Sequence, residues 1–425
     1  MKQDRYGNPI STESDVARDA YVHGVDLMLG GDAGVEAALQ AAIDADEGFA
    51  MAHLALARAK QGLGKGEEIA LPMQRAQALS ASVQAQEASA IAALALLLQG
   101  KTGLAYPRIR AHAQEFPRDV LVAQTCMGVF GLIGFSGQSG REAEQLAYTT
   151  SLAPHYGDDW WFLSMHAFAQ LEVGQLERAR ANIERALEQN SSPAHSVHVK
   201  AHLLYECGET EAGLDLLARY QGALDPTAQM HCHLSWHLGL WALETGDLDT
   251  MWTMLDRHIK PGLSVSPPLN IMTDNAALLA RAEMRGVDVP PAYWHQVSAY
   301  ALERFAQPGL AFADVHAALA HAMVGQIEPL ERIMSEAKGP AAPVVQALAG
   351  GFAAYVNGFF GEAVQHFSSV MAQHECIGGS RAQRDLIEMA LSAALLRSGH
   401  SDEARRVLLM RRPVTTGPHS VAGLH

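Results

Sequence analysis

Glycines that recur every 33 to 41 residues limit what this chain can fold into more than any other feature of its sequence. Between them lie Ala- and Leu-rich segments with apolar residues at i, i+3, i+4 and i+7, which predict helices and not strands. A second helix follows each glycine, in most cases after a polar residue, and the motif is weaker at Gly286. We therefore expect the glycine to end the first helix in the left-handed conformation. The glycines are Gly174, Gly208, Gly246, Gly286, Gly325, Gly358 and Gly399.

The spacing of these glycines is typical of helix-turn-helix repeats. Two segments, GQLERARANIERAL from Gly174 and GHSDEARRVLL from Gly399, resemble the tetratricopeptide consensus, although its aromatic and proline positions are mostly missing. Alanines five residues after the glycine (Ala179, Ala363, Ala404) allow the paired helices to approach closely. The sequence predicts an all-α fold, an α-solenoid of degenerate tetratricopeptide-like repeats wound as a right-handed superhelix.

A single continuous domain is predicted over 1–425, with less regular repeats in 1–150, clearer repeats in 151–412 and a tail in 413–425. Hydrophobic residues make up 48% of the chain and charged residues only 18%, so the chain can bury a large core. The proline-rich segments SVSPP (264–268) and Pro290-Pro291 are too short to be linkers between domains, so we interpret them as turns within the array.

The net charge of −15 argues against duplex nucleic acid and anionic membranes, which require clustered Lys and Arg. The opening segment MKQDRYGNPISTESD is polar, and the longest apolar run, ASAIAALALLL, is too short to cross a bilayer. Four scattered cysteines (Cys126, Cys207, Cys232, Cys376) fit a reducing compartment. We expect a cytoplasmic protein that contacts neither nucleic acid nor membrane.

Familiar catalytic signatures are missing from the sequence. QGLGKGEE around Lys65 resembles a phosphate-binding loop, but Gly66 stands where that loop has Ser or Thr, and no strand precedes it. The sequence has no G-x-S-x-G, no H-E-x-x-H and no dinucleotide fingerprint. It therefore predicts no cofactor.

Histidines form the most distinctive pattern: six of them (His195, His198, His202, His231, His233, His237) fall within 43 residues. His198 and His202 lie four residues apart on one helix face, which Tyr205 and Glu206 continue. The next repeat has the same stripe at His233 and His237. Since apolar residues flank both stripes, we expect them to point into the concave side of the solenoid and to lie next to each other.

Four interpretations of these stripes remain open: packing histidines, ligand recognition, acid–base catalysis and metal binding. The i, i+4 spacing is compatible with a metal. No carboxylate lies at a diagnostic ligand spacing, and the sequence therefore predicts no metal site.

Two other segments carry candidate residues. Asp314 and His316 lie near the start of a predicted inner helix, where Asp314 is either functional or a helix cap, and Asp274 is interpreted as a cap. Near the C-terminus, Gly378 and Gly379 precede a helix that begins at Ser380 and carries Arg381, Arg384 and Asp385. This helix start is either a carboxylate or phosphate site or a capped helix with a surface ion pair.

Several segments in this order resemble the tetratricopeptide repeat protein 38 family over nearly the whole chain: GVEAALQAAIDADEGFAMAH, SVHVKAH, CHLSWH, LDRHI, TDNAALLARAEMRGVDV, FADVHAALA and GGSRAQRDLIEMAL. The resemblance implies an all-helical repeat protein and no established activity. The positions that match the family motifs are His53, His198, His202, His233, His237, Asp256, His258, Asp274, Asp314, His316, Gly378, Gly379, Ser380, Gln383, Arg384 and Asp385.

Three positions depart from the family pattern. Tyr205 stands where the family has Glu, Arg381 stands where it often has His or Asn, and Gln124-Thr125 replaces a His-Asp pair. These exchanges imply a changed specificity in this chain.

The leading functional hypothesis is a binding pocket for a small polar or anionic ligand, or for a peptide end, on the concave face. Its candidate ligand-binding residues are His53, His198, His202, Tyr205, His233, His237, Asp274, Asp314, His316, Arg381, Arg384 and Asp385. The first alternative is an enzyme that uses the same pocket, with His233, His237, Asp314 and His316 as candidate catalytic residues. The second is a scaffold that binds protein partners.

Overall fold

The computed structural model describes residues 2–410 and residue 422. Within these residues there are 22 α-helices and one pair of two-residue antiparallel strands, β1 (Lys2–Gln3) and β2 (Pro9–Ile10). The predicted all-α solenoid is confirmed. The tail predicted at 413–425 lies outside the described residues, apart from Ala422.

The helices of the N-terminal half are α1 (Asp15–Gly30), α2 (Val35–Ala45), α3 (Ala50–Gly62), α4 (Ala70–Leu79), α5 (Ala85–Leu98), α6 (Thr102–Glu115), α7 (Val120–Ala123), α8 (Arg141–Tyr156), α9 (Trp160–Glu172), α10 (Leu176–Gln189) and α11 (Ala194–Cys207). Those of the C-terminal half are α12 (Thr210–Gln221), α13 (His231–Thr245), α14 (Leu248–Met254), α15 (Pro268–Met284), α16 (Pro291–Arg304), α17 (Ala311–Met323), α18 (Ile327–Glu336), α19 (Ala342–Val356), α20 (Phe360–Val370), α21 (Arg381–Arg397) and α22 (Ser401–Met410). Short 3₁₀ turns occur at Gly66–Glu68, Gln124–Cys126 and Met371–Ile377, and a π turn at Leu255–Ile259.

The glycines predicted to end the first helices all have φ between 69° and 88°, the left-handed region. At the end of α13, for example, the N–H of Gly246 donates to the carbonyl of Leu243, and the N–H of Asp247 donates to that of Ala242. These bonds satisfy carbonyls that the end of the helix leaves without partners. The glycine spacing therefore predicted the repeat boundaries correctly.

The first and second helices of each repeat differ sharply in burial. Helix α13 buries every residue from His231 to Leu243, whereas its neighbour α12 buries only Gly213 and Leu217. Each first helix packs against its own partner and against the first helices of adjacent repeats, as α13 does against α12, α14, α11 and α15. The first helices thus form an inner layer that solvent hardly reaches.

The two ends of the solenoid fold back onto its middle. Helix α1 contacts α11, and α21 contacts both α11 and α15, although these helices are far apart in the sequence. The interior is consequently bounded by helices from both ends of the chain and is not one long open groove. The histidine stripes of α11 and α13 lie at this meeting point.

Buried apolar side chains form two main clusters, one within 6–165 and one within 194–404, and a smaller cluster within 129–203. Helix α9 contributes Trp161 to the first of these and Phe168 to the smallest. A single continuous domain stays a prediction.

In the described part of the chain, no helix combines the length and the apolar character that a bilayer crossing requires.

Candidate ligand-binding cavity and four-histidine cluster

His198 and His202 of α11 and His233 and His237 of α13 lie together in the interior, where we call them the four-histidine cluster. Their ring centroids are 4.4 to 6.5 Å apart, and all four side chains are buried. The i, i+4 spacing aligns each pair along its own helix, and the packing of α11 against α13 brings the pairs together. The predicted proximity of the two stripes is therefore correct.

The surroundings of His198 and His237 favour the neutral form of these two imidazoles. Burial and the neighbouring histidines lower the pKa of His198 and His237 well below its usual range, and Arg281 lowers that of His237 further. The Nε2 atoms of His198 and His202 are 2.8 Å apart, as in a hydrogen bond. Nδ1 of His198 and Nε2 of His237 have no hydrogen-bond partner. A buried polar atom without a hydrogen-bond partner lowers the stability of the fold by about 1–3 kcal/mol. Two such atoms are therefore not expected in a cluster that serves only to pack helices together.

Asp274 holds His233 from outside the cluster. Nδ1 of His233 donates to Oδ2 of Asp274 at 2.9 Å, and the ring stacks on Trp236 at 5.1 Å between centroids. Because a carboxylate accepts at Nδ1, that nitrogen carries a proton, and Nε2 is the ring nitrogen left for other contacts. The interpretation of Asp274 as a helix cap was wrong, because α15 begins at Pro268 and Asp274 lies inside it.

A cavity of about 190 Å³, here called the central cavity, borders the cluster between α1, α3, α9, α11, α13, α15 and α21. Its apolar wall consists of Met28, Leu29, Met127, Val129, Phe130, Trp161, Met165, Phe168 and Met230. Its polar side chains are Arg58, Gln124, His195, His198, Gln229, His233, Asn270 and Gln383. Apolar walls with a few converging polar groups are typical of small-molecule sites.

Arg58 is the one cation that lines the central cavity among the residues described for it. One amino group of its guanidinium donates to Oε1 of Gln124 at 3.2 Å, and its buried Nε has no hydrogen-bond partner. Burial lowers its pKa to about 10, and no neighbouring carboxylate counteracts that shift. The charge is therefore present at neutral pH without a partner of opposite sign.

Arg381, Arg384 and Asp385 do not reach the central cavity but line a separate one of about 960 Å³, the Arg384 cavity. There Arg384 forms a close ion pair with Glu142 and a second with Glu172 at 3.6 Å. Glu172 also accepts from the backbone N–H of Arg381 at 3.1 Å. Ser380 caps α21 together with Gln383, which agrees with the capped-helix alternative of the two that the sequence left open. The cations at this helix start already have anionic partners within the protein.

The remaining predicted site residues are dispersed. Nε2 of His53 contacts the carbonyl of Glu47 at 3.0 Å, close by in the sequence, and the hydroxyl of Tyr205 donates to Oδ2 of Asp385 at 2.9 Å. Neither His53 nor Tyr205 lines the central cavity.

Asp314 and His316 are also absent from the walls of both cavities. Asp314 accepts from the N–H of Gly309 at 3.0 Å, and burial raises its pKa to about 6. Nδ1 of His316 donates to the carbonyl of Phe312 at 2.7 Å, and burial lowers its pKa to about 4. The two side chains thus act at separate places near the start of α17.

Arg58 was missed by the sequence analysis. Its signal is a single arginine within the apolar run AMAHLALARA, where most of the neighbouring side chains are buried. His195 was noticed only as one of six histidines. In the structure it lines the cavity with Nε2 at 3.0 Å from the sulfur of Met165, and burial lowers its pKa to about 4.

Comparison with known proteins gives distant structural similarities, and no protein-family model matches the sequence. The human IFIT1 dimer with m7Gppp-AAAA is 13% identical, with coverage of 94% of this chain and 90% of that one and a TM-score of 0.44. Yeast Tom70 is 12% identical, with coverage of 96% and 87% and a TM-score of 0.38. The TPR domain of P58(IPK) is 14% identical, with coverage of 93% and 99% and a TM-score of 0.22.

Because these identities and TM-scores are low, the fold assignment depends on the structure of this chain itself. Its paired helices and left-handed glycines form an all-α solenoid.

Proposed function

We propose that the central cavity binds a small organic anion, with its charged group at Arg58 and its apolar part against the methionines and aromatic rings. The observation that carries this proposal is the guanidinium of Arg58, which lines the cavity without an ion-pair partner among the described residues. An isolated buried charge is costly, and a carboxylate or phosphate oxygen compensates it with charge-assisted hydrogen bonds.

A second donor supports an anion in the same cavity. Gln383 also lines the central cavity. Its side-chain oxygen accepts from the N–H of Ser380 at the start of α21, whereas its buried amide nitrogen has no hydrogen-bond partner. Amide and guanidinium N–H groups together suit a group that only accepts hydrogen bonds. This arrangement favours an anion over a cation or a purely apolar ligand.

The size and surroundings of the cavity favour a small molecule over a peptide. Its volume of about 190 Å³ is below the roughly 300 Å³ at which drug-sized ligand pockets begin. Helices α1 and α21 fold back against α11 instead of leaving a long groove. Binding of protein partners on the outer helices, cytoplasmic location and the exclusion of nucleic acid as a partner stay predictions from the sequence.

Straight-chain monocarboxylates from acetate to octanoate, with inorganic phosphate alongside, test the proposal in calorimetric titrations. We expect binding to strengthen with chain length until the cavity is full. Arg58→Met should weaken it roughly tenfold or more, the scale of one hydrogen bond to a charged group. Arg75→Met, an exposed arginine on the neighbouring α4, serves as the control and should bind like the wild type.

Native mass spectrometry of the chain purified from its own cells gives an independent result, because it reports any retained small anion. The proposal fails if no carboxylate and no phosphate binds and no small molecule is retained.

An enzyme is the second candidate function, and the contact between His233 and Asp274 favours it. A histidine at a cavity wall, oriented by a carboxylate on Nδ1, is the arrangement of a general base. The retained molecule, incubated with excess protein and reanalysed by mass, tests this candidate. A molecule that the wild type converts and His233→Gln does not would support it, and a molecule recovered unchanged would contradict it.

A further inference from the structure

The four-histidine cluster carries an inference that goes beyond an anion-binding cavity. One ligand atom from each of His198, His202, His233 and His237 can be chosen so that all four lie within 4.8 Å of one another. Two helices supply them as i, i+4 pairs, which fixes the spacing of each pair by helical geometry. Four nitrogens around one point are the donor set of a transition-metal site.

Two ring nitrogens of the four-histidine cluster make no hydrogen bond within the protein. Nδ1 of His198 and Nε2 of His237 are buried and have no hydrogen-bond partner. Both side chains are more than nine-tenths buried, so bulk solvent hardly reaches these two nitrogens. A bound cation would accept lone pairs that no protein donor reaches.

The surroundings of His233 match those of a metal ligand. Asp274 accepts from Nδ1 of His233 at 2.9 Å, which fixes the orientation of the ring and directs Nε2 towards the cluster. Trp236 stacks on the same ring with 13° between the planes and restricts its rotation. An orienting carboxylate behind a buried imidazole recurs in metal centres and is not needed for packing.

We propose that His198, His202, His233 and His237 bind one divalent first-row transition ion of the zinc class. Neutral imidazole nitrogens suit Zn²⁺, Fe²⁺, Co²⁺, Ni²⁺ and Cu²⁺, whereas Mg²⁺ and Ca²⁺ require oxygen ligands. The prediction of no metal site depended on the missing carboxylate ligand, and a set made of imidazoles alone needs none. Asp274 is then a positioning residue.

The metal site does not depend on the anion proposed for the central cavity. His198 and His233 line that cavity, whereas His202 and His237 lie behind them. A bound ion would occupy Nε2 of His233, the atom that the enzyme candidate uses as a base. Metal content can therefore be measured without any organic ligand, and Arg58→Met should leave it unchanged.

The test begins with metal analysis of the full chain purified from its own cells, followed by removal of metal with dipicolinate and titration with Co²⁺ and Zn²⁺. We expect about one ion per chain, a visible Co²⁺ absorption spectrum typical of nitrogen ligation, and displacement of Co²⁺ by Zn²⁺. The double variant His202→Gln/His237→Gln should lose the ion on dialysis. Asp274→Asn should bind it roughly tenfold more weakly while keeping the Co²⁺ spectrum.

His321→Gln is the matched control. His321 of α17 is equally buried, but its Nδ1 is hydrogen-bonded to Ser298 of α16 at 2.8 Å, and it does not belong to the cluster. This variant should keep the full metal content. The proposal is overturned if the folded wild type, freed of metal, binds neither Co²⁺ nor Zn²⁺, or if His202→Gln/His237→Gln binds Co²⁺ with unchanged affinity and spectrum. Because the first outcome uses only the wild type, poor folding of the double variant does not prevent a decision.

Discussion

The central cavity and the Arg384 cavity are each lined by an arginine, half-buried Arg58 in the first and buried Arg384 in the second, but the partners of the two charges differ. Arg384 has two carboxylates, Glu142 and Glu172, as partners within the protein. Arg58 has only a neutral amide, that of Gln124. The two sites thus differ in whether the fold itself supplies the counter-charge.

We interpret the charge of Arg384 as structural and that of Arg58 as available to a ligand. An ion pair completed within the fold ties elements together, as Arg384 of α21 is tied to Glu172 of α9. A buried charge without a partner costs free energy unless something from outside compensates it. The sequence motif GGSR drew attention to the first site, whereas the structure makes the second the stronger candidate for binding.

The largest effect is expected at Arg384. Arg384→Met removes the cation that faces buried Glu172 and should lower the free energy of unfolding by about 4 kcal/mol, because breaking a buried ion pair leaves a charge without a partner. Urea denaturation measures it. A loss below about 1 kcal/mol, the scale of an exposed pair, would contradict the view that this site is structural. Arg405→Met, at an exposed pair on α22, is the control.

Asp314 is a buried carboxylate that lines neither cavity, and its raised pKa predicts a pH dependence of stability. Its pKa is raised from 3.8 to about 6, so the folded state holds its proton more tightly than the unfolded state does. Stability should therefore fall as the pH rises from about 4 to about 6, by at most roughly 3 kcal/mol at 1.36 kcal/mol per unit. Asp314→Asn should remove this part of the pH dependence, measured by urea denaturation across that range. An unchanged pH profile in the variant would refute the prediction.

A substitution at Gly379 tests how closely the residues around the Arg384 cavity are packed. Its carbonyl accepts hydrogen bonds from Arg141 and Arg384, its φ is +75°, and a Cβ there would lie 2.4 Å from the ring of buried Phe312. Gly379→Ala should cost about 2 kcal/mol more than Gly399→Ala, where φ is +86° but no atom lies within 4 Å. Thermal unfolding of both variants gives the difference. Equal losses would mean that the backbone conformation alone matters.

The smallest effect, and one of opposite sign, is expected at Arg58. Arg58→Met removes a cation that lacks an ion-pair partner and should leave the ligand-free protein as stable as the wild type or about 1 kcal/mol more stable. Urea denaturation beside Arg384→Met measures the contrast directly. If Arg58→Met is as destabilising as Arg384→Met, the distinction between the two cavities fails.

The helices and their boundaries could be predicted from the sequence because they depend on interactions between residues close together in the chain. Residues such as Gly208 and Gly246 end helices because left-handed backbone is nearly free of cost only for glycine, and this rule needs no tertiary information. The same holds for the stripe of His198 and His202, since helical periodicity alone puts them on one face. Asp274 shows the limit: without the true start of α15 at Pro268, a mid-helix carboxylate was mistaken for a cap.

Which residues meet across the interior was decided only by the tertiary structure. The sequence by itself determined the repeat period, the helical class and the two histidine pairs, because each depends on interactions within a few residues. The pairing of His233 with Asp274 depends on the packing of α13 against α15, and the carboxylates at Arg384 depend on how α21 folds back onto the middle of the solenoid. The lack of a counter-charge at Arg58 depends likewise on which side chains the fold brings to it. Such contacts join residues tens to hundreds of positions apart, where neither spacing nor composition indicates which charges will find partners.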